Sequence, residues 1–452
     1  MSEVVTTRQQ ELAGKYRPYP EYKDSGVEWL GGIPNHWISV QSRRLFSLRN
    51  TRARAGDRQL AATQKYGVIF QDIFMELEGR RVVQVQIGAE ILKHVEPGDF
   101  VISMRSFQGG IEYCPYEGCV SSAYVPLTPI KWVHPDYFRY LFKSSPYIQA
   151  LQSTSNLVRD GQALRFENFS LVDLPVVPID EQRTIATFLD YETARIDRLI
   201  AQQLRLIELL KEKRQAVISH AVTKGINPNA PMKDSGVEWL GQVPEHWSVI
   251  YIKHLSEVKR GASPRPIDDP KYFDEDGEYA WTRIADVSNA GMYLTSTTQR
   301  LSALGSSLSV RLNAGELFLS IAGTVGKPCI TIFKSCIHDG FVYFPSLKIN
   351  NKFLYYIFDA GQAYLGLGKM GTQLNLNTET VGGIKIGLPP VDEIENIIGH
   401  IEQQKEKYEK LISKASDTIE LMQERRTALI SAAVTGKIDL RGWTPPVEEA
   451  VA

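Results

Sequence analysis

Two long stretches of the chain place apolar side chains at alternating steps of four and three residues. The first stretch runs from Asp180 to about Val222 and contains no Pro or Gly. Such a heptad seam is typical of a coiled coil. The pattern predicts helix-pairing positions at Ile185, Leu189, Ile196, Leu199, Leu206, Leu210 and Val217 in the first stretch, and at Ile397, Ile401, Leu411, Met422 and Leu429 in the second.

Both predicted helices are longer than an ordinary globular domain can cover. About 43 residues at 1.5 Å each make a rod of roughly 60 Å. Polar or small residues interrupt the two seams, namely Glu192, Gln203, Gln404, Tyr408, Ala415 and Thr418. Each helix could pack on its own domain alone, but two matching helices can also cover each other's seams. We expect an antiparallel two-helix coiled coil, because each helix begins at its own globular segment.

An internal repeat precedes each globular segment. Lys23–Trp37 reads KDSGVEWLGGIPNHW and Lys233–Trp247 reads KDSGVEWLGQVPEHW, so 12 of 15 positions are identical at an offset of 210. Chance does not produce this agreement, and it indicates a duplicated unit. We call these two segments the entry motifs.

A second repeat closes each half of the chain. Ile207–Thr223 reads IELLKEKRQAVISHAVT and Ile419–Thr435 reads IELMQERRTALISAAVT, now at an offset of 212. At the same offset, IDEQ from Ile179 matches VDEI from Val391, and each follows a proline-bearing, strand-like run, LPVVP or GLPPV. The order is therefore entry motif, globular segment, proline-marked boundary and long helix, repeated once.

These landmarks predict an α+β protein with pseudo-twofold internal duplication. The expected parts are a first domain over 1–179 (with an arm to about 22), a helix over 180–225, a second domain over 226–388, a helix over 389–440 and a tail over 441–452. Each domain is expected to be mixed α/β, with strands at VVQVQI from Val82 and GELFLSIA from Gly315. The frames match while the segments between them differ, which fits either two readers of different targets or neutral drift of loops.

The duplicated motifs resemble those of the specificity subunit of type I restriction-modification systems. The resemblance is carried by KDSGVEWLG-x-x-P-x-HW at Lys23 and Lys233, by LPVVPIDEQ at Leu174 and LPPVDEI at Leu388, and by the two helix ends. Together they frame nearly all of residues 20–440. One departure is Ile394-Glu395, where the first repeat has Gln182-Arg183, and it affects only the local helix start.

The resemblance implies a DNA-reading function shared with other subunits. Members of that family carry two target recognition domains, and each reads one half of a bipartite, asymmetric site in duplex DNA. Their helices set the spacing and dock two methyltransferase subunits, which endonuclease and translocase subunits then join. S-adenosylmethionine, ATP and Mg²⁺ are implied for those partners, with no cofactor in this chain.

The bulk composition is that of a folded protein and does not by itself support DNA binding. The chain of 452 residues is 43% hydrophobic, and its 51 basic and 52 acidic residues give a net charge of −1. A lone nucleic-acid binder usually has a basic excess or stripe. Local basic surfaces, or methyltransferase subunits that help to enclose the DNA, therefore have to supply the positive charge.

No targeting or membrane segment is recognisable, so a cytoplasmic location is expected. The N-terminus has no apolar core, and no run approaches the 18–20 apolar residues of a membrane span. Cys114, Cys119, Cys329 and Cys336 are too few for a disulfide scaffold. Their spacings are wider than those of common zinc pairs, so we expect buried free thiols and no metal site.

Catalytic motifs for the expected chemistry are missing from the sequence. We find no Asp/Asn-Pro-Pro-Tyr/Phe tetrapeptide of an adenine methyltransferase, and Gly323–Lys327 lacks the spacing of a phosphate-binding P-loop. Asp268, Asp269, Asp274, Glu275 and Asp276 lie in a polar loop that is typical of a solvated surface. The chain is therefore predicted to read DNA without catalysing a reaction.

Candidate DNA contacts are side chains that match the edges of bases and lie near glycines. Arg and Lys suit guanine, Asn and Gln suit adenine, and Ser and Thr suit either. The candidates in the first domain are Arg105, Ser106, Gln108, Arg159, Gln162 and Arg165. The candidates in the second domain are Arg283, Thr324, Lys327, Gln373 and Asn375. Each could equally be an ordinary polar surface residue.

The tryptophans of the entry motifs could stack on bases, as in single-strand binders. Trp29 and Trp37 recur as Trp239 and Trp247 with matched spacing in both halves. Matched spacing favours structural packing, and the same holds for His36 and His246. We assign none of these residues a catalytic role.

The sequence thus predicts the DNA specificity subunit of a type I restriction-modification complex. Two other functions are possible on the residues alone: a nuclease or methyltransferase fused to a recognition module, and an adaptor whose coiled coil only joins proteins. Binding of S-adenosylmethionine or DNA cleavage by the isolated chain would favour the first. Indifference of its complex to DNA sequence would favour the second.

Overall fold

The computed structural model describes residues 16–79, 81, 91–103, 106–130, 132–154, 164–364 and 376–446. The chain divides into two compact units. The first unit comprises residues 1–203 and 417–452, and the second comprises residues 204–416. The strand expected at Val82 lies outside the described residues.

The first unit is built mainly from short antiparallel strands. Its strands are Tyr22–Asp24, Gly32–Pro34, Ile38–Gln41, Phe46–Leu48, Leu60–Thr63, Gly67–Phe70, Lys93–Val95, Phe100–Ile102, Glu112–Tyr113, Gly118–Val120, Val125–Pro129 and Asp173–Val176. Its shorter helices are Gln71–Glu78, Ser106–Gly109, Pro135–Leu141, Ser145–Ser153 and Phe166–Ser170, with a 3-10 turn at Ser42–Arg44.

An aromatic core holds the central sheet of the first unit. Four strands pair antiparallel in the order Phe46–Leu48, Val125–Pro129, Phe100–Ile102 and Glu112–Tyr113. Phe46 lies edge-on to Phe100 with ring centroids 5.6 Å apart, and it meets Phe138 from helix Pro135–Leu141 at 5.3 Å. Edge-to-face pairs of this kind add specific geometry to the hydrophobic burial.

The second unit has a different internal sheet arrangement. Its strands are Met232–Asp234, Gln242–Pro244, Ser248–Tyr251, Lys259–Arg260, Tyr279–Thr282, Tyr293–Leu294, Gln299–Leu301, Val310–Leu312, Leu317–Ser320, Pro328–Thr331, Ser335–Ile337, Phe341–Tyr343 and Lys385–Leu388. Its shorter helices are Ile252–Leu255, Ile284–Asn289, Ala303–Ser307, Asn351–Asp359 and Thr378–Gly382, with 3-10 turns at Pro270–Tyr272 and Gln362–Tyr364.

Parallel pairs distinguish the sheets of the second unit. Tyr293–Leu294 pairs parallel with Pro328–Thr331 in a five-stranded sheet, and Tyr279–Thr282 pairs parallel with Ser335–Ile337 in a four-stranded sheet. The strand expected at Gly315 is present as Leu317–Ser320, and all four of its residues are buried. Both units therefore combine strands and helices, which confirms the predicted α+β class.

The two long helices are Ile179–Lys224 and Val391–Val434. In the first unit, Asp197 pairs with Arg426 at 3.1 Å, while Ile185 packs in the same core cluster as Val434. Residue numbers rise along one helix as they fall along the other, so the two helices run antiparallel there. The second unit has the same arrangement, with Arg214 3.8 Å from Glu409 and with Val222 in the core cluster of Ile394.

Two of the predicted pairing positions lie off the seam. Leu206 is 42% exposed and Leu411 is 40% exposed, whereas the neighbouring Ile207 and Ile412 are half-buried. A straight helix has 3.6 residues per turn and drifts by about 20° per heptad from a strict seven-residue repeat. The seam therefore moves to the next residue near the middle of each helix, and the prediction for Leu206 and Leu411 is wrong for this reason.

The remaining predicted pairing residues are buried or half-buried. Ile185, Leu189, Ile196, Ile397, Ile401 and Leu429 are buried, and Leu199, Leu210, Val217 and Met422 are half-buried. Five of the six buried positions, all except Ile196, belong to core clusters that also contain residues of the globular parts. Nearer the middle of the helices, burial is partial at Leu199 and Leu210, although Ala415 is buried.

Candidate nucleic-acid interface

Each entry motif forms a small hairpin at the edge of its unit. Tyr22–Asp24 pairs with Gly32–Pro34, and Met232–Asp234 pairs with Gln242–Pro244, in the same antiparallel register. In the first hairpin, Asp24 accepts the N–H of Gly26 at 3.0 Å, and the equivalent bond in the second has the same length. Identical residues have thus produced identical turns.

A buried glutamate ties the first entry motif to the start of the first long helix. Glu181 accepts the indole N–H of Trp37 at 3.2 Å and lies 2.8 Å from His36 Nε2. Tyr19 also donates its hydroxyl to Glu181. Trp37 is fully buried, so the indole is unavailable for stacking on a base.

The second unit repeats this arrangement. Glu393 accepts the indole N–H of Trp247 at 3.1 Å and lies 2.7 Å from His246 Nε2. Trp247 is also buried, which confirms a packing role for both tryptophans. Glu181 and Glu393 were missed as partners because they sit in the boundary motif, more than 140 residues from the tryptophans that they bind. Their shared place in IDEQ and VDEI was the signal that could have identified them.

The predicted loop of the first unit forms a short helical turn, Ser106–Gly109. Ser106 is buried, and its hydroxyl accepts the N–H of Ser103 at 2.8 Å, so it stabilises the turn from inside rather than facing solvent. Gln108 is exposed. Lys143, in the turn between helices Pro135–Leu141 and Ser145–Ser153, stabilises this turn by donating to the carbonyl of Gly109 at 2.9 Å.

Five candidate residues fall outside the described part of the chain, namely Arg105, Arg159, Gln162, Gln373 and Asn375. Arg165 is described and exposed, and it occupies the N-cap position of helix Phe166–Ser170. Its own N–H donates to Asn168 Oδ1 at 3.2 Å, so the guanidinium group is not needed for capping.

Two candidates of the second unit contact a helix whose N-cap residue is a third candidate. Thr324 and Lys327 both contact Ser288, through a 2.6 Å bond between the hydroxyl groups and a 2.8 Å bond from the ammonium group to the Ser288 carbonyl. Arg283 is exposed at the N-cap of the same helix, Ile284–Asn289. Ser288 was not predicted, because nothing in its local sequence distinguishes it from any other surface serine.

A glycine makes this close approach possible. Gly323 has φ of +64°, a conformation that residues with a Cβ rarely adopt. A Cβ at that position would also lie 2.8 Å from Ile284 Cγ2. The loop Gly323–Lys327 therefore lies directly against helix Ile284–Asn289, and hydroxyl and ammonium groups share one polar surface. The Arg283 guanidinium donates instead to Gln299 Oε1.

A cationic cleft of about 520 Å³ opens in the first unit. Four cations line it, Lys65, Arg139, Lys143 and Arg426, together with Tyr66, Tyr113 and Tyr140. Glu112 is its one lining carboxylate. Each of the four cations is paired with a carboxylate, namely Glu78, Asp190, Glu112 and Asp197, so the cleft offers cationic side chains but no local excess of positive charge. These residues were missed because they come from four distant segments and form no run in the sequence.

Burial shifts the pKa of the carboxylate in this cleft. Desolvation raises the pKa of Glu112, and the neighbouring Lys143 opposes that shift. Lys143 also donates directly to Glu112 Oε1. Any loss of the negative charge on Glu112 makes the cleft more positive and favours an anionic ligand.

The four cysteines are free and buried, as the sequence predicted. Burial raises the pKa of Cys114 to about 12 and that of Cys119 to about 11, which keeps both thiols protonated at neutral pH. None of the described helices combines the length and the apolar character that a membrane crossing requires.

Comparison with known proteins shows which family this chain resembles. The family described as "Type I restriction modification DNA specificity domain" matches residues 244–431. The StySPI specificity subunit of a type I restriction enzyme from Salmonella potsdam is 24% identical over 341 residues, which are 68% of each chain. The putative MjaX specificity subunit from Methanocaldococcus jannaschii is 21% identical over 366 residues, covering 78% of this chain and 79% of that protein.

Solved structures share the fold across nearly the whole chain. A chain from work on "complex assembly and conformational transition of the type I R-M system" superposes with a TM-score of 0.66 at 14% identity, covering 89% of this chain and 98% of the other. The crystal structure of the HsdS subunit from Thermoanaerobacter tengcongensis gives 0.56 at 15% identity, covering 90% and 98%. At such low identity the likeness establishes the fold.

Proposed function

We propose that the two units of this chain read the two halves of one bipartite, asymmetric site in duplex DNA. The premise is that the chain belongs to the family of type I restriction-modification DNA specificity subunits. The observation that carries the proposal is the duplicated clamp of Trp37 on Glu181 and Trp247 on Glu393. Each unit has its own copy of this Trp–Glu contact, although the sheets of the two units differ. Two units with the same framework but different DNA-contacting surfaces suit a DNA site whose two halves differ in sequence.

Distinct surfaces supply the DNA contacts in this proposal. Gln108 and Arg165 of the first unit and Arg283, Thr324 and Lys327 of the second read base edges, since their side chains match the donors and acceptors of the major groove. The cationic cleft that contains Lys65 binds the phosphate backbone. Phosphate contacts position a protein on DNA, while base contacts specify the sequence.

The long helices serve as the docking surface for partner subunits in the same proposal. Two copies of a methyltransferase subunit bind related surfaces, because the helix ends at Ile207–Thr223 and Ile419–Thr435 are nearly identical in sequence. Endonuclease and translocase subunits complete the complex. The chain has no catalytic role, and S-adenosylmethionine, ATP and Mg²⁺ act in the partner subunits.

A direct test maps methylated bases across the genome in cells with and without this gene. Long-read sequencing is expected to show a bipartite methylated motif only when the gene and its methyltransferase partner are both present. A motif that persists without the gene would refute the proposal. Methyl transfer or DNA cleavage by the purified chain alone would instead favour an enzyme fused to a recognition module.

The adaptor function makes the opposite prediction for the complex. If the coiled coil only joined proteins, the complex would bind unrelated duplexes with equal affinity. We expect the complex to prefer duplexes that carry the sequence motif it methylates. For specific DNA-binding proteins this preference is typically a thousandfold or more. Competition binding with duplexes that carry or lack the motif distinguishes the two functions.

A further inference from the structure

His94 is fully buried in the first unit, yet only one of its ring nitrogens has a hydrogen-bond partner. Its side chain is 0% exposed, and Nδ1 lies 2.8 Å from Asp57 Oδ2. Nε2 forms no hydrogen bond with any described residue. A buried polar atom left unsatisfied destabilises the fold. A ligand that reaches this nitrogen would remove that penalty.

Carboxylates lie on both sides of the His94 ring. Glu96 Oε1 lies 3.4 Å from Nε2. Asp57, His94 and Glu117 each present one possible ligand atom, and these three atoms lie within 4.8 Å of one another. The unpartnered nitrogen and the carboxylate oxygens thus lie close together, and a positive charge between them would stabilise this arrangement.

We propose that this cluster binds one divalent zinc-type metal ion, independently of the DNA-reading function. His94, Glu96 and Glu117 are the ligands, and Asp57 orients the imidazole. Metal-bound histidines commonly donate their other ring N–H to a carboxylate. Zinc lies about 2.1 Å from nitrogen and oxygen ligands, so two tetrahedral ligands are roughly 3.4 Å apart. The distance between Nε2 and Glu96 Oε1 matches that spacing.

Arg54 supplies the positive charge in the metal-free protein. Its guanidinium lies 3.3 Å from Glu96 Oε1 and 3.6 Å from Glu117 Oε1. The Arg54 side chain is 52% exposed, so it can turn into solvent when an ion binds. Ion pairs connect His94 with Asp57 and Glu96, Glu96 with Arg49 and Arg54, Arg49 with Asp99, and Arg54 with Glu117. The four carboxylates and two guanidinium groups of this network sum to −2, which a divalent cation neutralises.

A bound ion would join separate segments of the first unit. His94 lies in strand Lys93–Val95, which pairs with Gly118–Val120 directly after Glu117. Asp57 lies in the loop before strand Leu60–Thr63. The ion would hold this loop to the two-stranded sheet, and a ligand that binds only the folded protein raises its unfolding temperature.

The test uses the untagged full-length chain after treatment with a chelator. Isothermal titration is expected to show one Zn²⁺ per chain and differential scanning fluorimetry an increase in the unfolding midpoint, while Mg²⁺ does neither because it avoids nitrogen ligands. Glu117→Gln should lower the Zn²⁺ affinity at least tenfold. This variant should fold normally, because Glu117 is 63% exposed.

Two further variants make the result decisive. Glu76→Gln changes an exposed carboxylate on helix Gln71–Glu78 of the same unit and should leave the affinity unchanged. His94→Gln should abolish binding. Absence of Zn²⁺ binding in the unmodified chain, or binding that Glu117→Gln and His94→Gln both leave unchanged, would overturn the proposal.

Discussion

Glu181 accepts the indole N–H of Trp37 at 3.2 Å, across 144 residues of sequence. The bond fastens the first entry motif to the first turn of a 46-residue helix. A carboxylate in this turn also interacts favourably with the positive end of the helix dipole. The contact therefore fixes the direction in which the long helix leaves the first unit.

Removing this carboxylate should destabilise the first unit. Glu181→Ala leaves the buried Trp37 N–H and the Tyr19 hydroxyl without their acceptor. We expect a loss on the order of 3 kcal/mol, since each unsatisfied buried group costs about 1–3 kcal/mol. Urea unfolding followed by tryptophan fluorescence measures the change. Asp180→Ala, at a neighbouring side chain that is 88% exposed, is the control and should have little effect.

The duplicate clamp provides a second comparison. Glu393→Ala should destabilise the protein less than Glu181→Ala, because Glu393 is 23% exposed and Glu181 only 5%. The position that corresponds to Tyr19 is Asn229, so no tyrosine hydroxyl loses its acceptor. An equal or larger effect of Glu393→Ala would contradict this account of the clamp.

The duplicated frame could be predicted from sequence because it depends on local patterns. The entry motifs, the boundary strands and the long helices each recur as contiguous runs, and hydrophobic spacing determines which face of a helix is buried. The predicted seam is wrong only at Leu206 and Leu411, because the small difference between the helical period and the heptad repeat accumulates along each helix.

The sites depend on contacts that no local pattern records. Ser288 meets Thr324 across 36 residues, and the cationic cleft joins Lys65 to Arg426. His94 and Glu117 come together only because their strands are neighbours in a sheet. Side chains that converge through tertiary packing leave no periodic signal in one sequence, so the metal cluster was not predicted.

The cationic cleft should govern the salt dependence of DNA binding. In the assembled complex, Lys65→Gln should weaken binding to all sequences equally and reduce the slope of log K against log salt by roughly 1. Fluorescence anisotropy at several salt concentrations measures the slope. Lys348→Gln, at an exposed lysine of the second unit, is the matched control. An unchanged slope in Lys65→Gln would show that the DNA phosphate backbone does not bind in this cleft.

Base reading by the second unit should depend on Arg283. Arg283 is exposed at the N-cap of helix Ile284–Asn289, and its guanidinium donates to Gln299 Oε1. Arg283→Ala should lower affinity for the correct half-site by a factor of roughly 10 to 100 and relax its specificity at one base, since a bidentate contact is worth about 1–3 kcal/mol. Methylation mapping should show the other half-site unchanged. Lys334→Ala, at a half-exposed lysine of the same unit, should retain full specificity.

Helix length should set the spacer between the half-sites. Deleting residues 203–209 together with 414–420 removes one heptad from each helix while keeping the ion pairs of Asp197 with Arg426 and of Arg214 with Glu409. Seven residues correspond to about 10 Å, or about three base pairs. An active variant should therefore methylate the same half-sites with a shorter spacer. Retention of the original spacer would show that the helices only dock partner subunits.

The central claim is that each unit reads its own half of the DNA site. The most direct measurement replaces residues 40–173 with the corresponding segment of another family member, co-expresses the chimera with the partner subunits, and maps methylated bases by long-read sequencing. The entry motif and the long helices stay intact in this exchange. We predict that one half-site changes while the other half-site and the spacer stay the same. A motif that is unchanged, or one in which both half-sites change, would contradict independent reading.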